Sequence, residues 1–272
     1  MDIRPMTLTE LQLALAWAAD EGWNPGLDDA AAFFAADPKG FLMGWLDGRP
    51  IAAISAIRHS DDFGFLGLYI CHPDYRGQGY GWQIWQAAMQ LFERRTVGLD
   101  GVVEQQGNYA KSGFQLSHNT QRYLGVIEAG PLDAFKSASL TELVQADAEI
   151  SGISRPRYMQ SWFADCKTRL TLADDANTAF GTIRECLDGY KIGPLYAPDA
   201  ETAEALTKAL VSKIGASNVN VSIDVPSHNV AAVNMCQNLG LEAVFSTARM
   251  YKGGAVPRPH PNEFGIATME LG

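Results

Sequence analysis

The chain has 272 residues, of which 47% are hydrophobic and 19% are charged, a globular composition with room for one large domain or two of ordinary size. No stretch combines low hydrophobicity with high charge, so long disordered segments are not expected. The formal net charge of −10 argues against a general nucleic-acid binder; it fits a cationic substrate, but ordinary solubility explains it equally well.

The cysteines and histidines are dispersed along the chain. No C-x-x-C pair and no zinc-like spacing is present, so the sequence predicts no metal site and a reducing compartment. Residues 1–6 lead directly into structure without an apolar signal core, and no apolar run approaches membrane-spanning length. These features predict a cytoplasmic protein without a membrane partner.

The first third of the chain predicts a strand, two helices and three strands. A strand at residues 3–6 is followed by a helix that Thr7 or Thr9 can cap. A loop of helix breakers, residues 21–26, carries Trp23 and Asn24. After the second helix, apolar β-rich runs predict strands at residues 40–46, 50–58 and 63–71.

A glycine-rich loop links the third of these strands to a helix. Residues 72–81 read H-P-D-Y-R-G-Q-G-Y-G, with Gly77, Gly79 and Gly81 at alternate positions. Such glycines let several backbone N–H groups turn toward one point, and the helix adds its own free N–H groups and the positive end of its dipole. This nest suits a pyrophosphate group.

Two well-known phosphate-binding motifs fit the glycine-rich loop less well. A P-loop needs a Lys followed by Ser or Thr, and neither follows these glycines. A dinucleotide fingerprint needs G-x-G-x-x-G, and Trp82 stands where its third glycine belongs. A plain surface turn would account for a bare glycine triplet, but not for a strand, loop and amphipathic helix in register.

The pattern R-G-x-G-x-G, with Pro-x-Tyr just before it, resembles the acyl-CoA pyrophosphate loop of the GNAT family of N-acetyltransferases. The resemblance implies that acetyl-CoA or another acyl-CoA is the donor, without a metal. It also implies that backbone N–H groups of the central strand polarise the thioester carbonyl. The implied donor-binding residues are Tyr69, Ile70, Cys71, Arg76, Gly77, Gln78, Gly79, Tyr80, Gly81 and Trp82.

Residues 109–114, Y-A-K-S-G-F, are similar to the Y-x-K-x-G-F element of the same family. The resemblance implies that Tyr109 gives a proton to the thiolate leaving group; an aromatic packed on the loop is the alternative. The family usually has an Asn seven residues before this Tyr, and Val102 stands there instead. The GNAT fold also usually covers the acceptor with the segment after its first strand, so Trp23 and Asn24 are candidate substrate-binding residues or simply part of a packed turn.

The proton acceptor cannot be identified from the sequence. An amine like that of lysine has a pKa near ~10.4 and must lose a proton before it attacks. Glu104 is one candidate base, Asp61 and Asp62 are others, and a water could relay the proton. An acyl-cysteine at Cys71 is less favoured, because His72 would point to the other side of the strand. Direct transfer is therefore expected.

The second half of the chain repeats the order of the first. A breaker cluster at residues 128–131 predicts a boundary between a GNAT domain at residues 1–128 and a degenerate GNAT-like domain at residues 129–272. Residues 229–241 resemble a second GNAT element, with Cys236 in place of its Tyr. The counterpart of the phosphate loop, residues 197–201, has no glycine, and its acidic residues would repel a pyrophosphate.

The sequence thus predicts an α/β (α+β) fold of two GNAT-like domains, each a mixed, largely antiparallel sheet flanked by helices. Only the first half is expected to bind acyl-CoA. The expected function is N-acetylation of a small-molecule amine, and the alternative is a non-catalytic acyl-CoA-binding sensor or interaction protein. Tyr109 favours the enzyme. A homodimer is left open, and nucleic acid is not expected as a partner.

Overall fold

The computed structural model of the chain describes residues 1–215 and 218–272. Its first half has the predicted order of elements up to the helix after the glycine-rich loop. The elements are β1 (Asp2–Pro5), α1 (Leu8–Asp20), α2 (Asp29–Ala36), β2 (Phe41–Leu46), β3 (Arg49–Arg58), β4 (Phe63–Cys71), α3 (Tyr80–Gln90), β5 (Thr96–Val102), α4 (Gln106–Lys111) and β6 (Gln115–Ile127). Short 3₁₀ turns at Pro73–Tyr75 and Val103–Gln105 precede α3 and α4.

Local sequence signals account for several of these boundaries. Thr7 caps α1 in a capping box: the Glu10 N–H donates to Thr7 Oγ1 at 3.3 Å, and the Thr7 N–H donates to Glu10 Oε2 at 2.7 Å. The turn between β2 and β3 is Asp47-Gly48, with φ of 50° and 76°, as a two-residue hairpin requires.

The second half begins with two helices and then alternates strands and helices. Its elements are α5 (Leu140–Ser151), α6 (Pro156–Phe163), β7 (Arg169–Ala173), β8 (Phe180–Glu185), β9 (Tyr190–Tyr196), α7 (Ala200–Lys213), β10 (Val219–Pro226), α8 (Val230–Asn238), β11 (Glu242–Lys252) and β12 (Glu263–Gly265). Within the described residues, no helix is long and apolar enough to cross a membrane.

In the described part of the chain, one sheet of twelve strands runs through both halves. The order is β1-β2-β3-β4-β5-β11-β6-β10-β9-β8-β7, with β12 paired to β9. The pairs β4–β5 and β9–β10 are parallel, and the other pairs between named strands are antiparallel. The predicted mixed, largely antiparallel sheet with flanking helices is confirmed.

The two halves exchange their long strands at the centre of the sheet. β11 of the second half pairs with β5, and β6 of the first half pairs with β10. A buried ion pair joins the halves there: Arg249 Nε and Nη2 donate to the two carboxylate oxygens of Asp100 at 2.9 and 2.6 Å. Sheet pairing thus joins the segments before and after residue 128. The domain boundary at that residue remains a prediction.

Apolar side chains pack in three large clusters on the faces of this sheet. One places α3 against β2–β5, and a second places α7 and α8 against the strands of the second half. The third joins α1 and α2 to α5 and α6, where Phe33 stacks on Trp162 with ring centroids 6.0 Å apart. Because this cluster contains side chains of both halves, its burial holds the two halves together.

Candidate active site

A cavity of about 630 Å³ opens where β4 and β5 separate. The two strands pair in parallel from Phe63↔Thr96 to Leu66↔Leu99, where their pairing ends. Just beyond, β4 bulges: its register against β3 shifts, and Leu68 has a φ of 44°. A bulge leaves backbone groups of the strand free to face a ligand instead of a neighbouring strand.

The glycine-rich loop forms one end of this cavity. Gly77 and Gly79 have φ of 76° and 84°, which favour glycine, and no atom lies within 4 Å of where a Cβ would stand on either. Gly79 is the N-cap of α3 and provides no side-chain cap. The first-turn N–H groups of α3 are therefore available to an anion.

Arg76 holds the loop in place. Its Nε donates to the carbonyl oxygen of Cys71 at 2.9 Å, and its Nη2 pairs with the Glu21 carboxylate at the end of α1. The guanidinium thus lines the cavity while it ties the loop to β4 and α1.

Most of the other predicted donor-binding residues line the cavity. These are Tyr69, Ile70, Cys71, Gly77, Gly79, Gly81 and Trp82. Gln78 and Tyr80 do not line it: the Gln78 amide donates to the Asp74 carbonyl oxygen at 3.0 Å, and the Tyr80 ring packs against Tyr75. Their backbone belongs to the loop, but their side chains face away from the cavity.

Tyr109 reaches the same cavity from α4. It is 8% exposed, and its ring stacks on Trp85 at 5.4 Å between centroids. A Cβ on Gly101 would collide with this ring, so the glycine makes room for it. Burial, with a smaller contribution from Tyr69, raises the pKa of the Tyr109 phenol, so the group carries a proton at neutral pH.

Glu104 lies near Tyr109 but in a different environment. It belongs to the 3₁₀ turn after β5, lines the cavity and is exposed to solvent. Val102, at the position of the family's usual Asn, also lines the cavity and is followed directly by this turn.

Cys71 has the properties of a thiol rather than a thiolate. Burial raises the pKa of its thiol, although the nearby Arg76 acts in the opposite direction. His72 packs against Trp17 with ring centroids 6.2 Å apart, and its Nδ1 lies 3.8 Å from the Asp74 carboxylate. These contacts agree with the expected direct transfer, because a cysteine nucleophile requires a thiolate.

The loop between α1 and α2 contributes Trp23 but not Asn24. Trp23 lines the cavity, and its carbonyl oxygen accepts hydrogen bonds from Arg122 Nη1 at 3.1 Å and Lys191 Nζ at 2.8 Å. The Asn24 amide instead exchanges two hydrogen bonds with the backbone of Asp188, at 2.8 and 3.1 Å. Asn24 therefore connects the two halves of the chain and lies outside the lining of the cavity.

The far wall of the cavity is not predicted by any sequence pattern. Exchanged strand β11, strand β6 and the segment after β12 supply its side chains, which are Arg122, Phe245, Thr247, Met269 and Glu270. Residues 264–271 form an apolar tail element, but nothing in their pattern places them against β4. Among the described residues, no group of three or more His, Cys, Asp or Glu side chains is arranged to hold a metal ion.

Two family models match the chain. The model described as the acetyltransferase (GNAT) family matches residues 8–114, and the model described as an acetyltransferase (GNAT) domain matches residues 143–265. A curated relative is the holothin acyltransferase of Pseudoalteromonas sp. (strain SANK 73390). It is 31% identical over 277 residues, which cover 99% of this chain and 94% of that protein.

Solved structures share the arrangement of both halves. A putative acetyltransferase from Pyrococcus horikoshii has a TM-score of 0.83 at 20% identity, over 100% of this chain and 95% of that chain. A tandem GNAT protein from the clavulanic acid biosynthesis pathway has a TM-score of 0.57 at 14% identity, over 94% of this chain and 99% of that chain. At these identities the likeness concerns the fold alone.

The fold and the matched models define an acyltransferase with two related domains in tandem. The chain belongs to the GNAT acetyltransferase family. Enzymes of this family use acyl-CoA donors.

Proposed function

We propose that this protein transfers an acetyl group from acetyl-CoA directly to the amine of a small molecule. The observation that carries the proposal is the N-terminus of α3, which opens on Gly79 without a side-chain cap beside the gap between β4 and β5. A pyrophosphate there would accept hydrogen bonds from the free N–H groups, and the positive end of the helix dipole would stabilise its negative charge. The rest of the donor would follow the gap into the cavity.

The chemistry follows from the groups at the inner end of that gap. Backbone N–H groups of the bulge around Leu68 would stabilise the negative charge that develops on the thioester oxygen. Tyr109 would return a proton to the CoA sulfur, because its buried phenol is protonated at neutral pH.

A small-molecule acceptor fits the remaining space. A cavity of about 630 Å³ is within the ~300–1,000 Å³ range of small-ligand sites. Trp23, Arg122 and Phe245 would contact the acceptor, since they form the wall away from the phosphate loop. The relative described as a holothin acyltransferase makes holothin a candidate acceptor here as well. The cytoplasmic location and the homodimer remain predictions.

The test is turnover by the purified full chain with acetyl-CoA, using holothin and a panel of primary amines as acceptors. Acetylated products are identified by mass spectrometry, with Gly79→Asp as the inactive control. Acetylation of at least one amine by the wild-type protein alone supports the proposal. Binding of acetyl-CoA without CoA release above hydrolysis for any amine would instead indicate a sensor, and absence of binding would contradict both functions.

A further inference from the structure

We propose that Glu270 is the catalytic base that takes the proton from the acceptor amine, an inference that rests on the proposed transfer to an amine. Glu270 follows β12, lines the cavity and is only 5% exposed. Its backbone carbonyl accepts a hydrogen bond from Ser55 Oγ at 3.5 Å. No described residue makes a hydrogen bond or an ion pair with its carboxylate.

The backbone of Glu270 lies directly against the point where β4 leaves β5. Gly67 is the first residue after the last paired position, Leu66↔Leu99. A Cβ on Gly67 would collide with the carbonyl group of Glu270, so only glycine lets the segment pass this close. The side chain of Glu270 therefore branches from backbone that lies beside the strand that would present the thioester.

Several contacts hold the segment around Glu270 in this position. The Leu271 N–H donates to Thr268 Oγ1 at 3.1 Å, and the Gly272 N–H donates to the Thr268 carbonyl oxygen at 3.2 Å. His59 Nε2 lies 2.8 Å from the Leu271 carbonyl oxygen. A base fixed by such contacts needs little rearrangement when substrate arrives.

Three buried cations lie near Glu270: Arg122 on β6 of the first half, and Arg184 and Lys191 in the second half. Arg122 is paired with Asp224 at 2.7 and 2.8 Å. Arg184 lies 3.3 Å from Asp29. Lys191 is left without such a pair, and a carboxylate at Glu270 complements its charge. If Glu270 were purely structural, this compensation would be its whole role.

The other carboxylates that line the cavity are less suited to accept the proton. Asp100, on β5, gives both oxygens to Arg249. Glu21, at the end of α1, pairs with Arg76. A carboxylate whose oxygens are held by a guanidinium must give up that ion pair before it can accept a proton from the amine.

The remaining titratable groups leave two candidates. Burial raises the pKa of Tyr69 to about 12 and also raises that of Cys71 and Tyr109, so these groups carry protons at neutral pH. Of Glu104 and Glu270, only Glu270 is buried beside the gap between β4 and β5. The buried position favours Glu270, because water is excluded there from the place where the amine would meet the thioester.

The proton inventory of the step is balanced. The amine nitrogen forms the C–N bond to the thioester carbonyl carbon, and the C–S bond breaks. Glu270 takes the proton that the ammonium form of the substrate loses before attack, and the second proton leaves the nitrogen for solvent once the C–N bond has formed. Tyr109 gives a proton to the CoA sulfur. After the amide and CoA leave, the proton on Glu270 passes to solvent and Tyr109 takes one back, so no further reactant is required.

The test compares Glu270→Gln, Glu270→Asp and Glu104→Gln with the wild-type protein. Each is assayed with acetyl-CoA, the best acceptor from the amine panel and the less basic β-fluorinated analogue of that amine. We expect Glu270→Gln to lower kcat at least ~100-fold for the basic amine, the range of general base catalysis, and clearly less for its analogue. Glu270→Asp should recover part of the loss, and donor affinity should stay within about twofold because the phosphate loop is untouched.

The outcomes separate this inference from the proposed function. If Glu270 is purely structural, Glu270→Gln should lower the stability of the protein, and any loss of kcat should be the same for the basic amine and its fluorinated analogue. That result would overturn the inference. So would a Glu270→Gln variant within about threefold of wild type, or a basicity-dependent loss in Glu104→Gln instead. If the wild-type protein acetylates no amine, the proposed function fails, and the assignment of Glu270 fails with it.

Discussion

The carboxylate of Asp199 accepts a hydrogen bond from the Thr202 N–H at 2.8 Å and caps α7. Hydrogen bonds from Thr202 lower the pKa of this carboxyl, so it is an anion at neutral pH. In the first half, the helix that follows the glycine-rich loop begins instead at Gly79, without a side-chain cap. The chain thus fills the anion position of α7 with its own carboxylate and leaves that of α3 to a ligand.

Gly79→Asp should abolish binding of acetyl-CoA, because it adds a side chain and a negative charge where the pyrophosphate would sit. Gly48→Asp is the matched control: Gly48 also has a positive φ, 76°, and open space around its Cβ position, but it lies in the β2–β3 hairpin. Both variants should lose about 1–2 kcal/mol of stability from backbone strain. Calorimetry should show at least ~100-fold weaker binding for Gly79→Asp alone. Equal affinities in the two variants would remove the phosphate-loop assignment.

Tyr109→Phe should lower kcat about 100-fold and leave the affinity for acetyl-CoA unchanged, because it removes the proton for the CoA sulfur but keeps the ring on Trp85. Tyr123→Phe is the control: the Tyr123 hydroxyl donates to Gln121 at 3.1 Å, and Tyr123 does not line the cavity. Steady-state kinetics with the best amine decides the question. A fully active Tyr109→Phe enzyme would contradict the acid role.

The ion pair between Asp100 and Arg249 should couple the stability of the two halves. Both side chains are buried, at 0% and 6% exposure, so removal of one partner leaves an uncompensated charge. Asp100→Leu and Arg249→Met should each cost about 3–5 kcal/mol in urea unfolding, and the double variant should cost less than either single one. Additive losses would show that the pair does not join the halves energetically.

His59 should make the protein less stable in acid. Burial lowers its pKa to about 4, against an ordinary value of 6.5. Between pH 6.5 and pH 4 the unfolded chain therefore binds a proton that the folded protein does not, and the free energy of unfolding falls as the pH is lowered through this window. Because the ring is partly accessible to solvent, we expect about 1–2 kcal/mol from this residue.

The matched variant is His59→Gln, which keeps a donor for the Leu271 carbonyl oxygen. Its unfolding free energy should depend less on pH between 4 and 6.5 than that of the wild-type protein. Burial also lowers the pKa of His118, to about 3, but that residue is present in both proteins and cancels in the comparison. Identical pH dependence in urea titrations would contradict the assignment to His59.

Local signals are enough to predict the glycine-rich loop and the elements on either side of it. Gly77 and Gly79 predict a loop with positive φ, because only glycine adopts that backbone conformation readily. The spacing of apolar residues predicts the order of the strands and helices around the loop. Tyr109 is predicted as the acid through the family resemblance, not from a local physical signal. The structure places it in the cavity, and its role as an acid remains a proposal.

The acceptor side could not be predicted for a physical reason. The wall of the cavity on this side forms because β11 lies between β5 and β6 in the sheet. The apolar pattern of a strand predicts the strand itself, but it does not predict which strands will pair with it. Glu270 stands in an apolar run where an acidic residue gives no periodic signal, and only the close approach to Gly67 in the folded chain reveals its position. Asn24 is the opposite case: its position in the loop after α1 suggests a substrate-binding residue, but its side chain is hydrogen-bonded to the Asp188 backbone.

Calorimetric titration of the purified chain with acetyl-CoA, read for stoichiometry, tests the single donor site most directly. We expect one site per chain, lost in Gly79→Asp and unchanged in Asp199→Ala, which only removes the cap of α7. Two sites per chain would contradict the claim that Asp199 closes the second helix N-terminus to a pyrophosphate. No binding at all would leave a GNAT fold without the donor site proposed for it.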